Sequence, residues 1–128
     1  MEEDPNTAYP LLVLSACQVD TRPPGAPRLW GGLKIKVLPD TLAHKIYKQT
    51  DIEESLNCSF ELNPEYQEKL ESAGLRVSGV SETGSARIIE LPSSSFYIGM
   101  GFLPQMSSQP GKPHPVISAF LEAALMQS

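Results

Sequence analysis

The side chains best suited to nucleophilic chemistry in this sequence are two cysteines, and its two histidines are the only imidazoles that could accept their protons. A thiolate beside an imidazole is a common nucleophile and base pair. Cys17 lies in an apolar run without the flanking glycines of a strained nucleophile turn, so we interpret it as a core thiol. His44, beside Lys45, and His114, between two prolines, are each expected to face solvent or to cap a helix. Spacing alone therefore assembles no catalytic pair.

The remaining polar residues form no recognisable catalytic or cofactor motif. Glu53 and Glu54 are adjacent, and neighbours on a strand point to opposite faces, so they are poorly placed to act as a paired acid and base. Two cysteines make neither a disulfide framework nor a metal knuckle, and the sequence has no Gly-rich phosphate loop. We therefore expect no metal site and no cofactor.

Length and charge limit the class of protein. A chain of 128 residues can form one domain with a buried core. The net charge is −5 and the ten basic residues are scattered, which argues against nucleic-acid binding. No apolar run approaches the ~20 residues that span a bilayer, and the run at 11–17 follows acidic residues, unlike a signal peptide. Together with the low cysteine count, these features predict a cytoplasmic protein without a membrane partner.

The first half of the chain predicts two strands and a short helix. Residues 11–17 form a continuous apolar run, which favours a strand buried on both faces. Residues 33–38 alternate apolar and basic side chains, as expected for a strand with one solvent-exposed face. A Pro-rich stretch at 21–28 reads as an extended loop between these strands, and Thr41 can cap a helix that reaches Tyr47.

The next region predicts a helix and a β-hairpin. The helix runs over residues 64–73, where Asn63 supplies the N-cap oxygen and Gly74 can take the left-handed conformation that ends it. Two strands at 75–80 and 86–91 are joined by a Gly-containing connection of hairpin length.

The last region predicts a buried strand at 96–102 and a closing helix after Pro115. Gly99 and Gly101 in the strand indicate either close approach of a ligand or tight packing against a helix. The helix carries a wide apolar stripe suited to packing on a sheet. This order of elements predicts an α/β layered sheet with flanking helices and a β-hairpin. We divide the chain into an N-terminal strand with its Pro-rich loop, residues 1–32, and a main body, residues 33–128.

The most specific pattern is the apolar strand and Pro-bearing turn at 96–110. It resembles the segment that delivers the catalytic histidine and glutamate in class I glutamine amidotransferases, particularly the glutaminase domain of CTP synthase. Residues 54–63 resemble a second segment of that family, one that ends in Tyr-Glu-Val-Asn, although its basic residues are absent here. Further similar stretches lie at 73–77, at 88–92 and at His114-Pro115 with the following helix. Identities or near-identities in these segments include Glu54, Phe60, Glu61, Asn63 and Glu90.

The resemblance implies a partial, flavodoxin-like amidotransferase fold in which residues 33–128 are the C-terminal half of the domain. Leu103 occupies the position of the family histidine, and Gln105 that of the family glutamate. A leucine cannot transfer a proton, and a glutamine carries no charge to stabilise an imidazolium. The family's nucleophile elbow belongs to the front half of the domain and has no counterpart in this sequence. The catalytic set that the resemblance implies is therefore lacking.

The resemblance also places residues 57–60 beside the family's glutamine pocket. We therefore expect a ligand pocket for a glutamine-like molecule at Asn57, Cys58, Ser59 and Phe60. Cys58 stands where the family has a basic residue, so it is either a structural thiol or a replacement nucleophile.

Three functional hypotheses follow. The first is an amidotransferase-like pseudoenzyme related to CTP synthase, a binding or regulatory module in the context of pyrimidine nucleotide biosynthesis. The second is a CTP synthase-type amidotransferase or another hydrolase that uses Cys58 or a cysteine from a longer form. The third is an incomplete isoform without independent function. Because the front-half strands are not represented, we also expect an open sheet edge that a protein partner or self-association would cover.

Overall fold

The computed structural model of the chain describes residues 4, 6–15, 31–56 and 60–127. The strands of these regions are β1 (Leu12–Leu14), β2 (Gly31–Val37), β3 (Asp51–Leu56), β4 (Phe60–Leu62), β5 (Arg76–Ser81), β6 (Ala86–Glu90) and β7 (Ile98–Met100). The helices are α1 (Leu42–Tyr47), α2 (Pro64–Ser72) and α3 (Pro115–Met126), and one 3₁₀ helix covers Pro104–Ser107.

Five strands form an antiparallel sheet in the order β3-β2-β5-β6-β7, while β1 and β4 form a separate two-stranded ribbon. The β5–β6 pair is the predicted hairpin, and its register is interrupted between Val77 and Val80. The predicted α/β layered sheet with flanking helices is confirmed. The pairing of β1 with β4 joins residues on either side of the proposed boundary after residue 32, and that division stays a prediction.

The core lies on one face of this sheet, beneath α1. Its buried members come from three strands, from Ala43 of α1 and from the segment after β7. In β2, Ile35 and Val37 are buried while Lys34 and Lys36 are exposed, so the predicted solvent-exposed face is confirmed. The buried core residues are Ile35, Val37, Ala43, Ile52, Ile88 and Phe102.

Local capping signals set the helix ends as the sequence indicated. The Thr41 side chain accepts a hydrogen bond from the His44 amide at the start of α1. The Asn63 side chain accepts one from the Glu65 amide, and Pro64 is the first residue of α2. Gly74 follows α2 with φ +100°, a left-handed conformation that glycine adopts without steric cost.

Three sequence expectations about burial or length are wrong. Strand β1 is not buried on both faces, because it pairs only within the two-stranded ribbon and leaves Leu12 and Leu14 44% and 46% exposed. Strand β7 covers three residues instead of seven, since its pairing with β6 stops at Met100. The apolar stripe of α3 is largely open to solvent beyond Val116 and Ile117. The Pro-rich stretch at 21–28 and Cys17 lie outside the described residues.

Among the described residues, no helix has the length and apolar character needed to cross a membrane.

We expect Ile88→Ala to lower the free energy of unfolding by about 2–5 kcal/mol, because Ile88 is a fully buried member of the core and its truncation leaves a cavity. Leu121→Ala removes a similar volume from a side chain that is more than half exposed, so a change below about 0.5 kcal/mol is expected. Urea unfolding monitored by circular dichroism measures both. Equal losses in the two variants would contradict this assignment of the core.

Candidate functional site

The two positions that the resemblance assigns to catalysis lie in the turn after β7. Leu103 is half-buried, and its amide donates to the Ser55 carbonyl at 3.1 Å, near the end of β3. Gln105 is exposed on the 3₁₀ helix, and its carbonyl accepts from the Ser108 amide at 3.3 Å. Leu103 is thus a packed residue, and the Gln105 backbone takes part in the turn.

The predicted pocket segment begins directly after β3. Asn57, Cys58 and Ser59 lie outside the described residues, whereas Phe60 opens β4. Since Leu103 is bonded to Ser55, the turn after β7 and the residues leading into the segment meet at the same end of the sheet. The structure therefore places the turn after β7 beside the end of β3, while residues 57–59 lie outside the described part of the chain.

Phe60 lines a cavity of about 370 Å³ between the β1–β4 ribbon and strands β6 and β7. The walls are mostly apolar, and a buried arginine, Arg87, is the one cationic side chain among the lining residues. Small ligands commonly bind in apolar cavities that contain a few polar groups. The lining residues are Leu12, Phe60, Glu61, Leu62, Ala86, Arg87, Ile89, Gly99, Met100 and Gly101.

Arg87 forms a buried ion pair that sequence reasoning missed. Its Nη2 donates to Glu61 Oε2 at 2.7 Å and to Ser15 Oγ at 3.1 Å, and Ser15 Oγ donates to the same carboxylate oxygen at 2.7 Å. Within the described part of the chain, Arg87 Nε and Nη1 have no hydrogen-bond acceptor. No local signal could have found this pair, because Arg87 and Glu61 are 26 residues apart.

Packing explains one of the two glycines of the β7 segment. A Cβ on Gly99 would lie 3.0 Å from Ile89 Cγ1, closer than ordinary van der Waals contact. A Cβ on Gly101 would meet Arg87 Cδ at 3.7 Å, an ordinary contact distance. Of the two interpretations offered by the sequence, close packing accounts for Gly99, and the neighbour is strand β6 instead of a helix.

A second polar cluster lies in the protein interior around Glu54. Its Oε1 accepts hydrogen bonds from Tyr47 Oη and His114 Nε2, both at 2.7 Å, and its Oε2 accepts from Ser107 Oγ at 3.2 Å. Glu53, next along β3, is exposed, so the expected opposite orientation of the two carboxylates is confirmed. The Ser107 contact attaches the 3₁₀ helix that carries Gln105 to the end of the sheet.

The hydrogen bonds of His114 determine its tautomer. Its Nδ1 accepts from the Val116 amide at 3.2 Å as the N-cap of α3, so Nδ1 carries no proton. Nε2 must then carry the proton of the neutral ring, and it donates to Glu54. His114 is therefore a buried capping residue. Of the two expected roles, capping is confirmed and solvent exposure is wrong for this histidine.

The environment of Tyr47 disfavours loss of its proton. Burial raises the pKa of the Tyr47 hydroxyl above its ordinary value, and the hydrogen bond and negative charge of Glu54 raise it further. Tyr47 therefore acts as a hydrogen-bond donor to Glu54. His44, the other histidine, is half-buried on α1, where its amide donates to the capping Thr41.

A third buried glutamate supports the start of α1. Glu90 Oε2 accepts from the Ala43 amide at 3.2 Å, and Glu90 Oε1 lies 3.6 Å from Arg76 Nη1. An acidic group at the first turn of a helix satisfies a free amide and interacts favourably with the helix dipole. Asn63 has a similar role at α2, and its Nδ2 also donates to the Pro10 carbonyl beside β1.

No group of three or more histidine, cysteine or acidic side chains within the described ranges is placed to hold a metal ion.

Comparison with solved structures defines the class of the fold. The chain superposes on the glutaminase domain of Trypanosoma brucei CTPS, solved with bound acivicin, with a TM-score of 0.83 and 27% sequence identity. The match covers 94% of this chain and 48% of that one. The fold is therefore that of a glutamine amidotransferase domain, in agreement with the predicted class, over about half of the neighbour's length.

Sequence comparison leads to the more specific relationship. The chain is 40% identical over 125 residues to the CTP synthase of Staphylococcus epidermidis, and 38% identical over 123 residues to that of Sulfurisphaera tokodaii. Each alignment covers at least 96% of this chain but 23% of the relative, so it extends into the first thirty residues. No family model matches the sequence. The chain is related to the glutaminase domain of CTP synthase.

We expect Glu54→Gln to lower the free energy of unfolding by roughly 2–4 kcal/mol, because the amide keeps one acceptor oxygen for three donors and loses the charge that strengthens their hydrogen bonds. Glu53→Gln makes the same chemical change on the exposed face of β3 and should cost less than about 0.5 kcal/mol. Denaturant unfolding at neutral pH measures both. A Glu54→Gln variant as stable as Glu53→Gln would contradict a stabilising role for the cluster.

The raised pKa of Tyr47 predicts a loss of stability at high pH. The unfolded tyrosine loses its proton near pH ~10, and the folded one does so at higher pH, so the favourable contribution is complete below pH ~10 and declines above it. Tyr47→Phe should therefore lose less stability than the wild type between pH 9 and pH 11. The difference is below about 1.4 kcal/mol per pH unit, since partial exposure weakens the effect. Denaturant titrations at several pH values measure the free energy of unfolding, and an equal decline with pH in the two proteins would contradict this prediction.

Proposed function

We propose that this chain is a glutaminase-like binding or regulatory module related to CTP synthase that does not hydrolyse glutamine by the standard mechanism. The observation that carries the proposal is the turn after β7, where Leu103 and Gln105 stand at the positions that the family resemblance gives to histidine and glutamate. Neither side chain can accept a proton from a thiol at neutral pH, so the usual activation of a cysteine nucleophile is not available at this turn.

The proposal is supported by a contrast between the residues that match the family pattern and those that depart from it. Glu54, Glu61, Asn63 and Glu90 match the family and are buried, hydrogen-bonded parts of the framework. The main departures from the family pattern are Leu103 and Gln105 in the turn after β7 and residues 55–59, where the family's basic side chains are absent. This distribution favours a protein whose fold has been kept while its reaction has been lost.

The cavity beside Phe60 is the proposed binding site, and the proposed ligand is a small glutamine-like molecule. The cavity volume of about 370 Å³ is within the range of small-ligand pockets. Its apolar walls would enclose an aliphatic chain, and Arg87 is the nearest cation for an acceptor oxygen. Because Glu61 already neutralises Arg87, we expect weak binding of a carboxylate through this group unless Nε or Nη1 becomes accessible.

The alternative that the chain uses Cys58 as a replacement nucleophile is separable by experiment. We expect the purified chain to release no ammonia from L-glutamine above background in a coupled glutamate dehydrogenase assay. The Cys58→Ala variant should likewise release no ammonia above background. Isothermal titration calorimetry with L-glutamine should nevertheless detect binding, and D-glutamine serves as the stereochemical control.

The outcomes distinguish the hypotheses. Ammonia release that Cys58→Ala abolishes, or labelling of Cys58 by acivicin detected by mass spectrometry, would overturn the non-hydrolytic proposal in favour of a cysteine-dependent enzyme. Absence of both turnover and glutamine binding would overturn the glutamine-binding part of the proposal.

A further inference from the structure

The start of helix α3 is linked to strand β3 by the ring of His114, which uses both of its nitrogens. Nδ1 accepts from the Val116 amide at 3.2 Å, and Nε2 donates to Glu54 Oε1 at 2.7 Å. The side chain is only 3% exposed, so water does not readily replace either partner. One residue therefore caps the helix and joins it to the sheet.

The N-cap bond requires a ring nitrogen without a proton. The Val116 amide is among the first four amides of α3, which have no acceptor within the helix. An imidazolium has two N–H donors and no acceptor. A proton on Nδ1 would therefore place two N–H donors against each other, and the cap would be lost.

The bond to Glu54 responds to the same proton in the opposite way. Nε2 carries a proton in this neutral ring and in the charged ring, so it remains a donor to Glu54 in both. The added positive charge is also attracted to the Glu54 carboxylate. Protonation therefore keeps the ring at β3 while it removes the cap from α3.

The other elements around the ring contribute neutral groups. From α1, Tyr47 Oη lies 3.4 Å from Nε2, and the two rings meet edge to face. Tyr47 keeps its proton, because burial and the neighbouring Glu54 raise the pKa of its hydroxyl. The 3₁₀ helix presents Ser107, which donates to Glu54, and the following Ser108 accepts from the His114 amide. Among the described residues, Glu54 is the one charged group in contact with the ring.

We propose that His114 is a proton-sensitive N-cap: at mildly acidic pH its ring takes up a proton at Nδ1, remains bonded to Glu54 and releases the first turn of α3. Imidazole is the side chain whose charge ordinarily changes between about pH 5 and 8. The release would extend along the helix, because Phe120, Leu121 and Leu125 are each more than half exposed and anchor it weakly. Such a release does not depend on whether the chain hydrolyses glutamine.

Helix α2 and the second histidine provide controls within the same chain. The N-cap of α2 is Asn63, whose side-chain oxygen accepts from the Glu65 amide at 3.0 Å and does not titrate. His44 is half-buried within α1, where Thr41 is the N-cap. Protonation of His44 therefore leaves the cap of its own helix in place.

Hydrogen exchange of the whole chain, followed by mass spectrometry at pH 7.5 and pH 5.5 and corrected for intrinsic chemical rates, tests the proposal. We expect protection of the amides at 116–120 to fall about fivefold at the lower pH, since an N-cap bond shifts local opening by roughly two- to thirtyfold. Protection of α2 should change less than about twofold, because its cap does not titrate. A fall in α3 no greater than that in α2 would overturn the proposal.

Two substitutions separate the two bonds of His114. Asparagine supplies a capping oxygen near the position of Nδ1 but takes up no proton, so His114→Asn should keep α3 protected at both pH values. Glutamine can donate towards Glu54 but is a poor N-cap, so His114→Gln should lose α3 protection at both pH values. His44→Gln is the matched control and should retain the wild-type dependence on pH.

Circular dichroism first establishes which variants are folded at both pH values. Persistence of the acid-induced loss of α3 protection in a folded His114→Asn variant would overturn the proposal, and so would its abolition by His44→Gln. If His114→Asn does not fold, the comparison of α3 with α2 in the wild-type chain decides the outcome.

Discussion

The packing of three elements against the end of β3, beside the turn with Leu103 and Gln105, depends on the buried carboxylate of Glu54. Its two oxygens accept hydrogen bonds from α1 through Tyr47, from the 3₁₀ helix through Ser107 and from the N-cap of α3 through His114. A buried carboxylate is costly unless donors replace its water. Three donors from three elements meet that requirement, and in doing so they hold the elements against the end of β3. The turn that contains Leu103 and Gln105 is positioned by this cluster.

The other two buried glutamates in family-like segments have comparable structural roles. Glu61, with Arg87 and Ser15, connects the β1–β4 ribbon to strand β6, while Glu90 supports the first turn of α1. Each carboxylate joins elements that are distant in sequence. Resemblance to a catalytic family at these three positions therefore reports on the framework of the fold.

Several features could be predicted because their causes are local. Asn63, Pro64 and Gly74 define α2 through capping and left-handed geometry, and alternation in β2 defines its buried face. Burial of β1 and α3 was predicted incorrectly because an apolar run or stripe shows which face can be buried but not whether a second layer is present. The predicted ligand segment stays a prediction, because Phe60 lines a cavity but residues 57–59 are not described.

By itself the sequence determined the order and type of the main elements, the resemblance to a glutamine amidotransferase, and the identity of Leu103 and Gln105 in the motif. These properties depend on residue type and short-range spacing. Only the tertiary structure decided that His114 is a neutral, buried N-cap bonded to a glutamate 60 residues away, and that Arg87 is paired with Glu61. The protonation and partners of a buried polar group are set by the donors and acceptors that folding brings around it, and no local pattern specifies those neighbours.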